Sequence, residues 1–233
     1  MSPFSESVPA DWWRDFFTGL AAEFWRQAIP GAISEHEAEL VALLGAFPAG
    51  GRLLDVPCGH GRHARALARR GFVVEAVDGS DALLSDLVKR PEPSVQAHRR
   101  DMRDLAFAAG CDGALCLGNS FGYLGDAGDA AFLTAVHAAL RPGAHFVLEP
   151  ALAELVLPRF VPDRTLRAAD IEVVSRITHD PGSGVLRTDY TFRRGDLVER
   201  RTAWIRLRTC VEIEAMLRTA GFAVVRVVDE HGQ

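Results

Sequence analysis

A chain of 233 residues can bury one α/β core with an elaboration and is short for two domains, so one domain spanning 1–233 is expected. Its 48% hydrophobic and 24% charged residues are ordinary for a globular protein, and its net charge of −5 disfavours nucleic acid as partner. No basic-then-apolar leader opens the chain and no apolar run reaches the roughly 18 residues of a membrane span, which leaves a cytoplasmic protein as the expectation.

Asp11 is the expected cap of a helix in which Trp12, Trp13, Phe16, Phe17, Leu20, Phe24 and Trp25 recur at helical spacing. Such an aromatic helix either packs on the core or forms a lid over a site. Its mixed charges (Asp11, Asp15 and Glu23 against Arg14 and Arg26) disfavour a membrane-surface role. Ser34-x-x-Glu37 has the form of a capping box for a second helix, with Leu40, Val41, Leu43, Leu44 and Phe47 on one side. Residues 1–48 thus read as an N-terminal helical cap.

From Leu53 to Ala64 an apolar strand runs through Asp55-Val56-Pro57-Cys58-Gly59-His60-Gly61 into a helix that Gly71 closes. Gly59 and Gly61 let the backbone turn sharply and approach a ligand, which places that ligand at the carboxyl end of a strand. Gly59-x-Gly61-x-x-Ala64 satisfies the dinucleotide fingerprint, so an NAD(P)-binding oxidoreductase is one reading. Asp55 argues against it, because a carboxylate there would face a pyrophosphate. The stretch resembles motif I of the class I S-adenosylmethionine-dependent methyltransferases, D/E-x-G-x-G-x-G, whose ligand carries an ammonium and a sulfonium and no phosphate. Pro57 stands where the first glycine is usual, and it requires a loop that keeps residue 57 at negative φ.

The second strand, Phe72 to Asp78, ends on a carboxylate that can accept from both hydroxyls of a ribose, a feature shared by NAD and S-adenosylmethionine. Its alternative role is to cap the next helix, for which Ser80 is the better candidate. A third strand over 94–100 leads into Asp101-Met102-Arg103-Asp104. A fourth, Cys111 to Gly118, leads into Asn119-Ser120-Phe121-Gly122-Tyr123. A helix through Phe132, Leu133, Val136 and Leu140 ends at Arg141-Pro-Gly143, and a fifth strand covers 144–149. Glu149 either binds an amine acceptor or caps a short helix over 151–157. Cys58, Cys111, Cys116 and Cys210 have neither C-x-x-C spacing nor a histidine array nearby, so reduced thiols are expected and no metal.

Residues 171–178, 185–194 and 197–208 alternate apolar and polar side chains around glycine turns, an antiparallel β-meander inserted at 169–208. It either closes an acceptor pocket or pairs subunits as a homodimer. Thr209-x-x-Glu212 is a second capping box, Gly221 closes its helix, and Phe222 to Val228 reads as one more strand. The antiparallel strand that finishes the class I fold has no counterpart in this sequence.

The resemblance implies a doubly wound, Rossmann-like α/β fold with a mostly parallel sheet and helices on both faces. It implies S-adenosylmethionine as cofactor, held by Asp55, Cys58, Gly59, His60 and Gly61 and by Asp78 with Gly79. Asp101 would take the adenine amine, Met102 the ring face, and Leu117 and Asn119 the methionine moiety. Asn119 to Tyr123 is similar to the N-S-F-G-Y segment of bacterial small-molecule methyltransferases, and no N/D-P-P-Y/F motif supports a nucleic-acid base or glutamine as acceptor. Phe17, Trp25, Phe121 and Tyr123 are the expected acceptor-side residues, with Phe121 equally readable as a core plug. The implied reaction is displacement of the sulfonium methyl by a lone pair on a small molecule. Nitrogen is favoured over oxygen because no His-Asp or His-Glu pair advertises a base, His60 being the remaining candidate. A non-catalytic methyltransferase-like subunit is the alternative from a different class.

Overall fold

The computed structural model describes residues 8–223 and 226–229. At the N-terminal end lie Trp12–Phe16 (α1), Gly19–Gln27 (α2) and Gly31–Leu44 (α3). The winding then alternates: Arg52–Asp55 (β1), Arg62–Arg69 (α4), Val73–Asp78 (β2), Asp81–Lys89 (α5), Val95–Arg99 (β3), Cys111–Cys116 (β4), Gly125–Ala139 (α6) and Leu140–Leu148 (β5). Among the described residues these five strands form one parallel sheet in the order β3-β2-β1-β4-β5. Consecutive residues of a strand point to opposite faces. Leu53 accordingly enters the core under α3, α4 and α5 with Val41, Leu67 and Leu84, while Leu54 enters the other with Phe132, Val136 and Ile213. The strand order reverses between β1 and β4, which opens a crevice beyond their carboxyl ends.

After a short helix, Ala153–Val156 (α7), four strands follow: Asp163–Ala168 (β6), Ile171–Asp180 (β7), Val185–Arg194 (β8) and Leu197–Arg206 (β9). They form an antiparallel sheet in sequence order, and Cys210–Thr219 (α8) returns the chain to the parallel sheet. The inner face of this second sheet, with Ile171, Val173 and Phe192, packs on Trp12, Trp13, Phe16, Leu20 and Phe24. The two sheets are joined where β9 ends. Arg208, 4% exposed, pairs with Asp129 at 2.7 Å and Asp126 at 2.9 Å, and its guanidinium lies over the Phe121 ring. Asp129 also accepts the Leu124 amide at 3.2 Å, which ties this joint to the loop after β4.

Four local expectations change. The aromatic helix is two helices: Leu20 N–H donates to Glu199 Oε2 at 3.3 Å, and Gly19, at φ +50°, has no room for a Cβ beside that carboxylate. Asp11 lies at φ +60° and makes no side-chain cap. Ser34 does not open a helix, because α3 starts three residues earlier after Pro30, and both Ser34 and Glu37 face Arg62. The meander has a fourth strand, β6, whose mostly exposed residues gave no alternating signal. The cap at Ser80 and the box at Thr209 form as read, Thr209 and Glu212 capping reciprocally. The strand expected over 222–228 lies partly outside the described residues, and its described positions are not in a strand.

Candidate active site

β1 ends on Asp55 and the turn that follows is pinned to its neighbours. Val56 N–H donates to Leu115 at 3.0 Å, Cys58 N–H to Val77 at 2.8 Å and Gly61 N–H to Cys58 at 3.0 Å. Gly59, at φ +57°, faces open space, whereas a Cβ on Gly61, at φ +80°, would meet Leu87 of α5 at 2.6 Å. Asp78 at the tip of β2 steadies the same turn. Its Oδ2 accepts the Gly59 amide and its Oδ1 the Ser80 amide, each at 2.8 Å. It therefore serves both the turn and the start of α5, and a carboxylate with two such bonds keeps lone pairs for a ligand.

A cavity of about 220 Å³ opens over this turn. Cys58, Gly59, His60, Asp78, Gly79, Met102 and Leu117 form its floor. Trp12, Trp13, Phe16, Phe17 and Trp25 of the N-terminal helices form its roof, and Tyr123, Tyr190 and Ala203 also line it. The Trp13 ring stands where a Cβ on Gly79 would be, 2.2 Å from that position. The expected choice between core packing and lid thus resolves by side chain: Leu20 and Phe24 pack on the meander, and the tryptophans cover the floor.

The floor is acidic. Burial lifts Asp55 to about 6, with repulsion from Asp78 adding to the rise, and burial lifts Asp78 to about 6 as well. Neither Asp55 oxygen makes a hydrogen bond of normal geometry among the described residues. Two buried carboxylates beside a glycine turn suit a cationic guest and repel a diphosphate. Ring faces above them tolerate a sulfonium while shedding water. This lining fits S-adenosylmethionine, which carries a sulfonium and no phosphate.

Several expected positions lie elsewhere. Asp55 and Gly61 are buried beneath the turn and do not line the cavity. Asp101 is half-buried and gripped by Arg103, from Nε at 2.8 Å and from Nη2 at 2.6 Å, a bond that holds its carboxyl below the usual range. Asp104 pairs with Arg100 instead. Asn119, at φ +56°, is exposed while Gly118 and Ser120 on either side line the cavity. Phe121 is 3% exposed and packs against Phe132, the core plug rather than an acceptor wall. Glu149 neither faces the cavity nor caps a helix; it accepts the Gly118 amide at 2.7 Å.

Two features had escaped the sequence. His63 Nε2 lies 2.9 Å from Glu37, a pair built across 26 residues, and the bonds from His63 and then Arg62 hold the Glu37 carboxyl down at about 2. No local spacing signals such a pair. Tyr190 could have been found, since Leu186, Thr188, Tyr190 and Phe192 alternate toward the inner face of β8.

A family model described as a methyltransferase domain matches residues 53–143. The dTDP-3-amino-3,6-dideoxy-alpha-D-glucopyranose N,N-dimethyltransferase of Streptomyces fradiae is 33% identical over 174 residues, covering 72% of this chain and 68% of that protein. The CcbJ methyltransferase of Streptomyces caelestis shares the fold, with a TM-score of 0.72, 22% identity and coverage of 88% and 86% of the two chains. CalS10 with SAM bound, an amino pentose methyltransferase from Micromonospora echinaspora, superposes with a TM-score of 0.68 at 26% identity, covering 88% of this chain and 89% of that one. The chain belongs to the class I S-adenosylmethionine-dependent methyltransferases, with S-adenosylmethionine as cofactor and a small molecule as methyl acceptor.

Proposed function

We propose that this protein methylates the amino group of an amino sugar. The observation that carries the reading is the basicity of the cavity's own groups. Burial drives His60 down to about 4, and burial raises the Tyr123 and Tyr190 phenols above their usual range. None of the three is pitched to take a proton near neutrality, while His63, which also lines the cavity, is tied to Glu37 at 2.9 Å and Asp78 to the Gly59 and Ser80 amides. A hydroxyl acceptor needs such a base, whereas an amine has only to arrive unprotonated. An aromatic cavity favours that state, because it strips water from an ammonium and disfavours the charge. The names of the Streptomyces fradiae and Micromonospora echinaspora relatives, both of which carry amino sugars, support the choice.

On this reading Cys58, Gly59, Asp78, Gly79, Met102 and Leu117 hold the cofactor, which supplies a methyl group on a sulfonium. Phe17, Trp25, Tyr123 and Tyr190 hold the acceptor and exclude water. The protein's main contribution is orientation, which can supply about 7–11 kcal/mol. Incubation with labelled donor, an amino sugar and the matched sugar bearing a hydroxyl in place of the amine tests the proposal. Label on the amine alone is expected, and label on the hydroxyl alone would overturn it.

A further inference from the structure

Two phenols from different parts of the chain line the same cavity. Tyr123 lies in the loop after β4, where Trp12 Nε1 donates to its carbonyl at 3.1 Å and the two rings pack 5.0 Å apart. Tyr190 lies on β8, stacked on Phe192 at 5.7 Å and edge-on to Phe16 at 5.4 Å and Trp25 at 6.5 Å. Each ring is thus fixed by aromatic neighbours, and each hydroxyl has one hydroxyl neighbour, Ser120 for Tyr123 and Thr188 for Tyr190. A phenol has one O–H to donate and two lone pairs to accept with. Both residues line the cavity, and each phenol oxygen has lone-pair capacity for an N–H of a bound acceptor.

We propose that Tyr123 and Tyr190 orient the acceptor together, each phenol oxygen accepting one N–H of a primary amine, and that this pairing makes a primary amine the preferred substrate over a secondary one. The inference rests on the N-methylation reading above. A neutral primary amine carries two N–H bonds and one lone pair in a tetrahedral arrangement. Fixing both N–H bonds on the two phenols directs the lone pair away from both rings. That lone pair forms the new N–C bond as the C–S bond breaks; the C–S electron pair stays on sulfur, and the nitrogen's extra proton passes to water. After one transfer a single N–H remains, so one phenol contact is lost. The meander acquires a role by this route, since Tyr190 is its contribution to acceptor choice.

The test uses the full chain, Tyr190→Phe and Tyr123→Phe, with a primary amino sugar and its N-monomethyl derivative as acceptors. Each substitution removes one oxygen and keeps the ring. Expected is a loss of about five- to tenfold in kcat/KM on the primary amine for each variant. The loss on the monomethylated amine is expected to be smaller, and donor affinity by calorimetry unchanged. Equal losses on both acceptors, no loss on either, or donor affinity falling in step would overturn the proposal. Failure of the wild-type chain to methylate any amine would instead bring down the N-methylation reading and this inference with it.

Discussion

The floor and the roof of the cavity are built in opposite ways. The floor centres on one continuous turn held by amide bonds to adjoining strands, with Asp78, Gly79, Met102 and Leu117 added from the ends of β2, β3 and β4. The roof is assembled from pieces far apart in the chain: Trp12 reaches Tyr123 across 111 residues, and Leu20 meets Glu199 across 179. The floor carries charge and, on the proposed reading, binds the methyl donor. The roof carries rings, and it is where acceptor choice can vary without disturbing the donor.

The joint between the two regions is the first place to break the comparison. Arg208→Met leaves Asp129, 1% exposed, without its partner, and loss of such a buried pair costs about 3–5 kcal/mol. Denaturant unfolding is expected to show that loss, and a change under 1 kcal/mol would mean the two sheets are held together elsewhere. Asp78→Ala attacks the floor alone. It removes the acceptor of the Gly59 and Ser80 amides, so donor affinity by calorimetry is expected to fall about a hundredfold, as charged hydrogen bonds of 1.5–3 kcal/mol imply.

Gly79→Ala sharpens the contact between floor and roof. The added methyl meets the Trp13 ring at 2.2 Å, and overpacking of this kind costs about 1–3 kcal/mol. Pairing it with Trp13→Ala is expected to recover part of the thermal midpoint, which two independent sites would not do.

The smallest effect is the pH dependence of the floor. Asp55 and Asp78 titrate at about 6 in the folded chain against an ordinary 3.8, so between those values the folded chain holds more protons than the unfolded one. Their contribution to stability is present below 3.8 and lost as pH rises through about 6. Donor binding runs the other way, because a cation favours the ionised carboxylates. Affinity is expected to rise by up to about tenfold per carboxyl per pH unit until about pH 6 and then level off. Comparing Asp55→Asn with the wild type at pH 5 and 7, by thermal melts and calorimetry, isolates the buried carboxyl from other acids. Identical slopes in the two proteins would refute its part.

What the sequence made legible follows the same division. Ser80 and Thr209 each cap a helix three residues ahead, so their spacing carried their roles. Ser34 and Glu37 have the spacing of a capping box, yet a guanidinium and an imidazole from α4 claim both side chains. The aromatic helix breaks where a carboxylate from β9 meets its backbone, a contact across the chain that residues 12–25 signal only through Gly19. Phe121 shares its segment with Tyr123 but turns to the opposite side, a choice made by Phe132 and Arg208.

The indole of Trp13 rests directly on Gly79, one residue from the carboxylate that edges the floor, and Trp12 and Trp25 border the same space. A nucleoside arriving there must change the polarity and stacking around at least one of these rings. The chain therefore carries its own optical reporter: intrinsic emission, followed during a donor titration, would measure occupancy without a label.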